Sequence, residues 1–173
     1  MVKKILSAFF VLAAIIISAS VSKAADVVNS VYPHWQKSPI SVYIENGQKS
    51  GSMRNAFNRW QSASYGKLKF TYVNDKDNAD IKVKFSEVSS NYNGAVGSSS
   101  VQKSGNEIIS ADINISVGSK KYSNNYVYTV MLQEVGHVLG LSDNPRKTSS
   151  IMHTPVNENQ DILKLDVREL FRV

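Results

Sequence analysis

The sequence predicts an α/β (α+β) domain, and three observations carry the prediction. Short runs of alternating apolar and polar residues recur along the chain. Stretches with apolar residues at helical spacing interrupt and follow them. One of those helical stretches, near residues 129–143, gathers several metal-ligand residue types within a few turns.

Residues 1–24 read as a signal peptide. Lys3 and Lys4 form a basic start, Ile5 to Ile17 an apolar core, and Ser22-Lys23-Ala24 offers small residues for cleavage. A membrane anchor needs about 20 apolar residues, whereas this run is broken by Ser18, Ser20 and Ser22. The expectation is a secreted, extracellular protein with no membrane association after cleavage, whose residues 25–173 form a single domain long enough to bury a core.

Ile40 to Ile44 reads as a first strand. Met53, Ala56, Phe57 and Trp60 then recur at helical spacing and predict an amphipathic helix ending near Gly66, with Phe57 and Trp60 on the stripe it must bury. Leu68, Phe70 and Tyr72 alternate with polar neighbours, as do Ala79, Ile81, Val83 and Phe85 with Asp80, Lys82 and Lys84, so each run predicts a strand with one buried face. Ser86 to Ser104, rich in Ser, Asn and Gly, reads as a long loop. Ile109, Ala111, Ile113 and Ile115 repeat the strand pattern. Val127, Val130, Met131, Val135, Val138 and Leu139 form the apolar side of a helix capped by Ser123 or Asn124, and Leu163, Val167, Leu170 and Phe171 mark a last helix.

Composition narrows the function classes. The chain has no cysteine, which excludes disulfides and a lipidated cysteine. Its formal charge of +6 falls to +3 once Lys3, Lys4 and Lys23 leave with the signal segment. The remaining basic residues are dispersed and Lys120-Lys121 reads as a solvated pair, so nucleic acid is not an expected partner. Neither internal repeats nor linkers stand out, and a monomer is expected.

The stretch TVMLQEVGHVLGLSD from Thr129 to Asp143 carries the chemistry. Residues four apart on a helix lie about 5–6 Å apart and can converge on one ion, which places Gln133 and His137 on one face with Glu134 beside them. Gly140 tolerates the left-handed conformation that ends many helices, so Leu141 to Asp143 can turn back and bring a carboxylate toward the same point. Nine residues after Asp143 comes Met152, within SSIMHT.

These motifs, together with AFNRWQSASYGKLKF at 56–70 and ADIKVKF at 79–85, resemble the metzincin clan of zinc peptidases, most closely the matrixin-like metallopeptidases. Their motif is His-Glu-x-x-His-x-x-Gly-x-x-His or Asp followed by a methionine turn. The resemblance implies a twisted, mainly parallel sheet with an edge strand near Gly94 to Gln102 along the cleft, an active-site helix, a methionine turn at Met152 and a C-terminal helix. It implies one catalytic zinc held by Gln133, His137 and Asp143, with Glu134 as general base acting on a protein or peptide substrate. A structural calcium ion is implied by family analogy alone, and no acidic loop of calcium-binding spacing supports it. The thiol latch of many matrixins is excluded by the absence of cysteine, and the histidines of the accessory zinc in animal matrixins have no counterpart.

Two positions depart from the pattern. Asp143 replaces a third histidine, and a carboxylate is an acceptable zinc ligand at about 2.0–2.2 Å. Gln133 replaces the first histidine with a neutral amide oxygen, a donor better suited to calcium than to zinc. The expected cost exceeds the roughly 10–100-fold typical of disturbing a residue behind a ligand. His153, beside the methionine, is the only nearby substitute, although the tyrosine that follows this histidine in astacins is Thr154 here. His34, in VYPHWQ, reads as a hydrogen-bonded histidine of the lead-in segment. Two functions therefore stay open: a secreted zinc endopeptidase with weakened metal affinity, and a catalytically inactive pseudopeptidase that binds a protein or peptide through the old cleft.

Overall fold

The computed structural model describes residues 33–87, 96–117 and 122–172. The expected signal peptide and residues 88–95 of the expected loop lie outside the described residues. Five strands form one sheet in the order β2-β1-β3-β5-β4. Three of them, β1 (Ile40–Ile44), β2 (Phe70–Val73) and β3 (Ile81–Glu87), lie parallel, and β3 pairs in parallel with β5 (Glu107–Val117). Parallel neighbours need a crossover between them. Helix α1 (Ser50–Ala63) supplies it between β1 and β2. Strand β4 (Gly97–Ser104) instead folds back on β5 as the antiparallel edge of the sheet.

The register aligns Ile81 with Ala111 and Val83 with Ile113, so the apolar sets of β3 and β5 share the buried face. Helix α1 buries the expected stripe of Met53, Ala56, Phe57 and Trp60 and ends at Ala63, just before the turn in which Gly66 has a φ of 74°. Phe57 meets Phe70 edge-on at 5.1 Å between ring centroids, which ties the helix to β2. Trp60 is fully buried, and its indole N–H donates to the Leu132 carbonyl at 2.8 Å, joining α1 to the second helix, α2 (Asn124–Val138).

Three expectations are corrected. Ile109 is exposed and Ile108 takes its place in the core. The cause is a β-bulge: Gln102 faces Ser110 while Lys103 faces Ile108, so Ile109 is left without a partner and the alternation slips by one. Secondly, the described part of the Ser-rich stretch read as a loop is mostly strand, since β3 runs to Glu87 and β4, the edge strand that the resemblance implied, begins at Gly97. Backbone pairing with β5 holds β4 in place, and its side chains bury little. Thirdly, α2 does not have one apolar side. It is buried nearly all round, with Thr129, Gln133 and Glu134 enclosed alongside the apolar residues, because α1 covers one flank while β4 and β5 cover another.

Ser123 caps α2, its hydroxyl accepting from the Tyr126 N–H at 3.0 Å. The last helix, α3 (Lys164–Leu170), packs Val167 and Leu170 against the core, while Leu163 stands at its cap and Phe171 beyond its end. Substituting Trp60→Ala is expected to destabilise the domain by roughly 3–5 kcal/mol, because both the cavity and the lost bond to α2 fall at the helix contact. Urea unfolding of the two proteins measures it, and a loss below about 1 kcal/mol would mean that α2 is held without α1.

Candidate functional site

The site begins at the end of α2. Gly140 takes a φ of 109°, the Gly140 N–H bonds the His137 carbonyl at 2.9 Å, and the Leu141 N–H bonds the Gly136 carbonyl at 3.0 Å. This is a Schellman closure, and only glycine suits it here: a Cβ at 140 would stand 1.9 Å from the Pro33 carbonyl oxygen. The turn orients the imidazole as well. His137 Nδ1 lies 3.0 Å from the Leu141 carbonyl oxygen, an acceptor only, so Nδ1 carries the proton and the Nε2 lone pair faces the cleft. His137 Nε2 stands 3.5 Å from Asp143 Oδ1, and that same oxygen accepts from the Thr154 hydroxyl at 2.6 Å.

Beneath the helix runs the turn that holds Met152. A Cβ on Gly136 would meet Met152 Sδ at 2.4 Å and the Trp60 ring at 3.0 Å, so the bare backbone at 136 is what admits both side chains. The Asn144 N–H bonds the Met152 carbonyl at 2.7 Å, linking the segment that carries Asp143 to the turn. Gln133 is buried, and its amide N–H donates to the His153 carbonyl at 3.0 Å. Its nitrogen is therefore committed to the methionine turn, and only Oε1 remains as a donor atom toward a metal. The imidazole of His153 points elsewhere, with Nδ1 at 3.3 Å from the Asn144 carbonyl. His34 lies in the lead-in segment, where its main chain bridges to β5.

Glu134 is buried beside the cleft. Burial pushes its carboxyl above the ordinary range, and Asp143 adds to this, while the Ser99 hydroxyl on β4 and the neighbouring His137 pull it back. A residue that the sequence reading missed supports the whole assembly. Asp166 of α3 is buried, and its carboxylate accepts from the Ser150 hydroxyl, from the Leu163 N–H at 2.8 Å and from the Ile151 N–H at 3.4 Å. The signal was present: Asp166 falls on the stripe defined by Leu163, Val167 and Leu170, where a carboxylate needs buried donors.

The cleft itself has a volume of about 530 Å³. Ser98, Ser99, Val101 and Lys103 of β4 wall it on one side, and Pro33 with Gly140 to Asp143 on the other, with Glu134 and His137 between them.

The donor set can be tested against zinc. Two ligand atoms at tetrahedral angles around zinc stand about 3.4 Å apart, and the 3.5 Å between His137 Nε2 and Asp143 Oδ1 matches that edge. Among the described residues no group of three or more His, Cys, Asp or Glu side chains is placed to hold a metal. A third corner would fall to the amide oxygen of Gln133. His137 and Asp143 fit zinc at two corners with strong donors, and the amide oxygen of Gln133 is the weak donor left for a third.

Comparison with known proteins agrees with this architecture. The family model described as Matrixin matches residues 34–170. No curated protein gives a significant match. Two solved structures of myroilysin are similar at 17% identity, each over 80% of this chain. They are matched over 93% and 84% of their own lengths, with TM-scores of 0.54 and 0.53. At that identity the likeness concerns the fold, a mostly parallel five-stranded sheet with three helices.

Glu134 generates a pH prediction. Because burial raises its folded pKa, the folded protein holds that proton more tightly than the unfolded chain. The resulting stability is present below about pH 4.3 and is lost as pH rises through the raised folded value. Glu134→Gln is therefore expected to melt higher than the parent at pH 7, with the advantage shrinking toward pH 4. Thermal melts across that range test it, and a difference independent of pH would show that desolvation of the carboxylate is not the cause.

Proposed function

This chain belongs to the matrixin family, and from that premise we propose that it is a secreted zinc-dependent endopeptidase whose metal affinity is weakened by Gln133. One observation carries the reading: His137 Nε2 and Asp143 Oδ1 converge at 3.5 Å beside Glu134, which lines the same cleft. His137, Asp143 and the amide oxygen of Gln133 would hold the ion. Zinc supplies Lewis acidity toward a substrate carbonyl and toward water when it is bound.

The chain's own residues do the rest. An extended peptide adds to β4 through main-chain hydrogen bonds, because β4 is the edge of the sheet and lines the cleft. Glu134 accepts the proton of the attacking water at its carboxylate and passes it to the leaving amine. Its raised pKa brings its proton affinity closer to neutral pH, where such transfer is efficient. The Ser99 hydroxyl holds the carboxylate in place, and the Leu141 carbonyl holds the His137 ring.

A specific observation favours a second reading. The bond from Gln133 to the His153 carbonyl ties α2 to the methionine turn without a metal. The same cleft would then serve a pseudopeptidase that binds a peptide on β4 and cleaves nothing.

Zinc stoichiometry of the purified mature protein separates the two. The endopeptidase reading expects about one zinc per chain, lost in His137→Ala. Gln133→His is expected to bind zinc at least tenfold more tightly and to increase cleavage of casein, with Glu134→Ala abolishing the cleavage. No zinc under metal-replete conditions, and no cleavage by the tight-binding Gln133→His protein, would overturn the endopeptidase and leave the binding role.

A further inference from the structure

A second cavity, of about 320 Å³, lies across the lead-in segment from the cleft: Pro33 borders the cleft, whereas His34 to Ser38 border this cavity. Its walls are apolar, formed by Trp35, Ile40, Leu68, Leu139, Leu170 and Phe171. The Trp35 indole N–H is already given to the Val138 carbonyl at 2.8 Å, so the ring offers the cavity an apolar surface with no donor left to satisfy. Beside His34, Gln36 and Ser38, the charged part of the lining has one sign. Lys37, Lys67, Lys69 and Arg172 border it, and no Asp or Glu does. Lys37 pairs with Asp80 at 2.9 Å and Arg172 with Glu169 at 3.3 Å. Lys67 and Lys69 have no carboxylate partner among the described residues, and the Lys67 ammonium sits 5.1 Å from the centre of the Phe171 ring.

We infer that this cavity binds a medium-chain fatty-acid anion, with the aliphatic tail among Trp35, Leu68, Leu139 and Leu170 and the carboxylate at Lys67 and Lys69. Charge complementarity selects an anion, and the lining selects its tail. The volume is at the small-molecule end of ligand sites, which span about 300–1,000 Å³. A peptide would bring backbone N–H and C=O groups into apolar surroundings, where each needs a partner. The main-chain pair closest to the lysines is already closed, since the Ile40 N–H bonds the Lys69 carbonyl at 2.9 Å. An acyl chain makes no such demand. Phe171, one of three large apolar side chains that remain exposed among the described residues, is covered by the ligand.

The chain carries a reporter. Of its two tryptophans, Trp60 is fully buried in the core and Trp35 lines the cavity, so a ligand-induced change in emission reports Trp35. The mature protein is titrated with decanoate below its micellar concentration, and with decyltrimethylammonium and acetate in parallel. Decanoate is expected to produce a saturable change that is lost in Trp35→Phe. Its affinity should exceed that of either control by at least tenfold and fall by at least tenfold in a Lys67→Gln/Lys69→Gln protein. Both lysines are exposed, so this variant retains the fold, and isothermal calorimetry on the Trp35→Phe protein should still detect decanoate. Absence of saturation, equal binding of the cationic amphiphile, or undiminished affinity in the double variant would each overturn the proposal. Saturation by an acidic peptide but not by decanoate would make the occupant a peptide and overturn it equally.

Discussion

The close approach of Met152 to the bare backbone of Gly136 is the constraint on which the cleft depends. No Cβ fits between the thioether and helix α2, and the Trp60 ring closes the same gap from the other side. With that contact made, the methionine turn lies flat beneath the helix. The turn then holds everything above it: its Met152 carbonyl takes the Asn144 N–H, its His153 carbonyl takes the Gln133 amide, and Thr154 just beyond it bonds Asp143. Asp166 anchors it from below by accepting from Ser150, Ile151 and Leu163. Interiors are packed too tightly for one of these parts to move alone.

The site shows how one substitution redistributes polar bonding without disturbing the fold. A buried amide needs a partner for its N–H as an imidazole ligand would need a metal, and the His153 carbonyl supplies one. The helix is thus joined to the turn by a hydrogen bond from the position where the family motif has a histidine. His137 and Asp143 keep a separation that suits zinc because their geometry comes from the Schellman turn and the Thr154 bond, both independent of residue 133. Glu134 is held at a cost: a buried carboxylate opposes folding at neutral pH, and a raised proton affinity is also what proton transfer requires.

Much of this is legible in the amino-acid sequence itself. The stripe of Met53, Ala56, Phe57 and Trp60, the Ser123 cap, the alternation that marks the strands and the Gly140 turn are local or periodic features. Each is dictated by residues within a few positions of one another. Helical spacing alone puts residues 133, 134 and 137 on neighbouring positions of one helix, whereas the roles of residues 143 and 152 come from the resemblance to the matrixin motif.

What tertiary structure decided lies between residues distant in sequence. The bulge that exposes Ile109 and buries Ile108 arises from the pairing of β5 with β4, and alternation along one strand cannot reveal a slip in its partner. The same holds for the serines of β4, which are strand because β5 bonds their backbone, and for the all-round burial of α2 between α1 and the sheet. Asp166 reads as an anomaly on an apolar stripe until Ser150 is brought to it from 16 residues away. Gln133 reads as a missing ligand until the His153 carbonyl, 20 residues on, receives its amide. The sequence by itself determined which segments fold and which side chains could do chemistry. The partners of the buried polar groups were set only when packing removed water and left each donor one acceptor within reach.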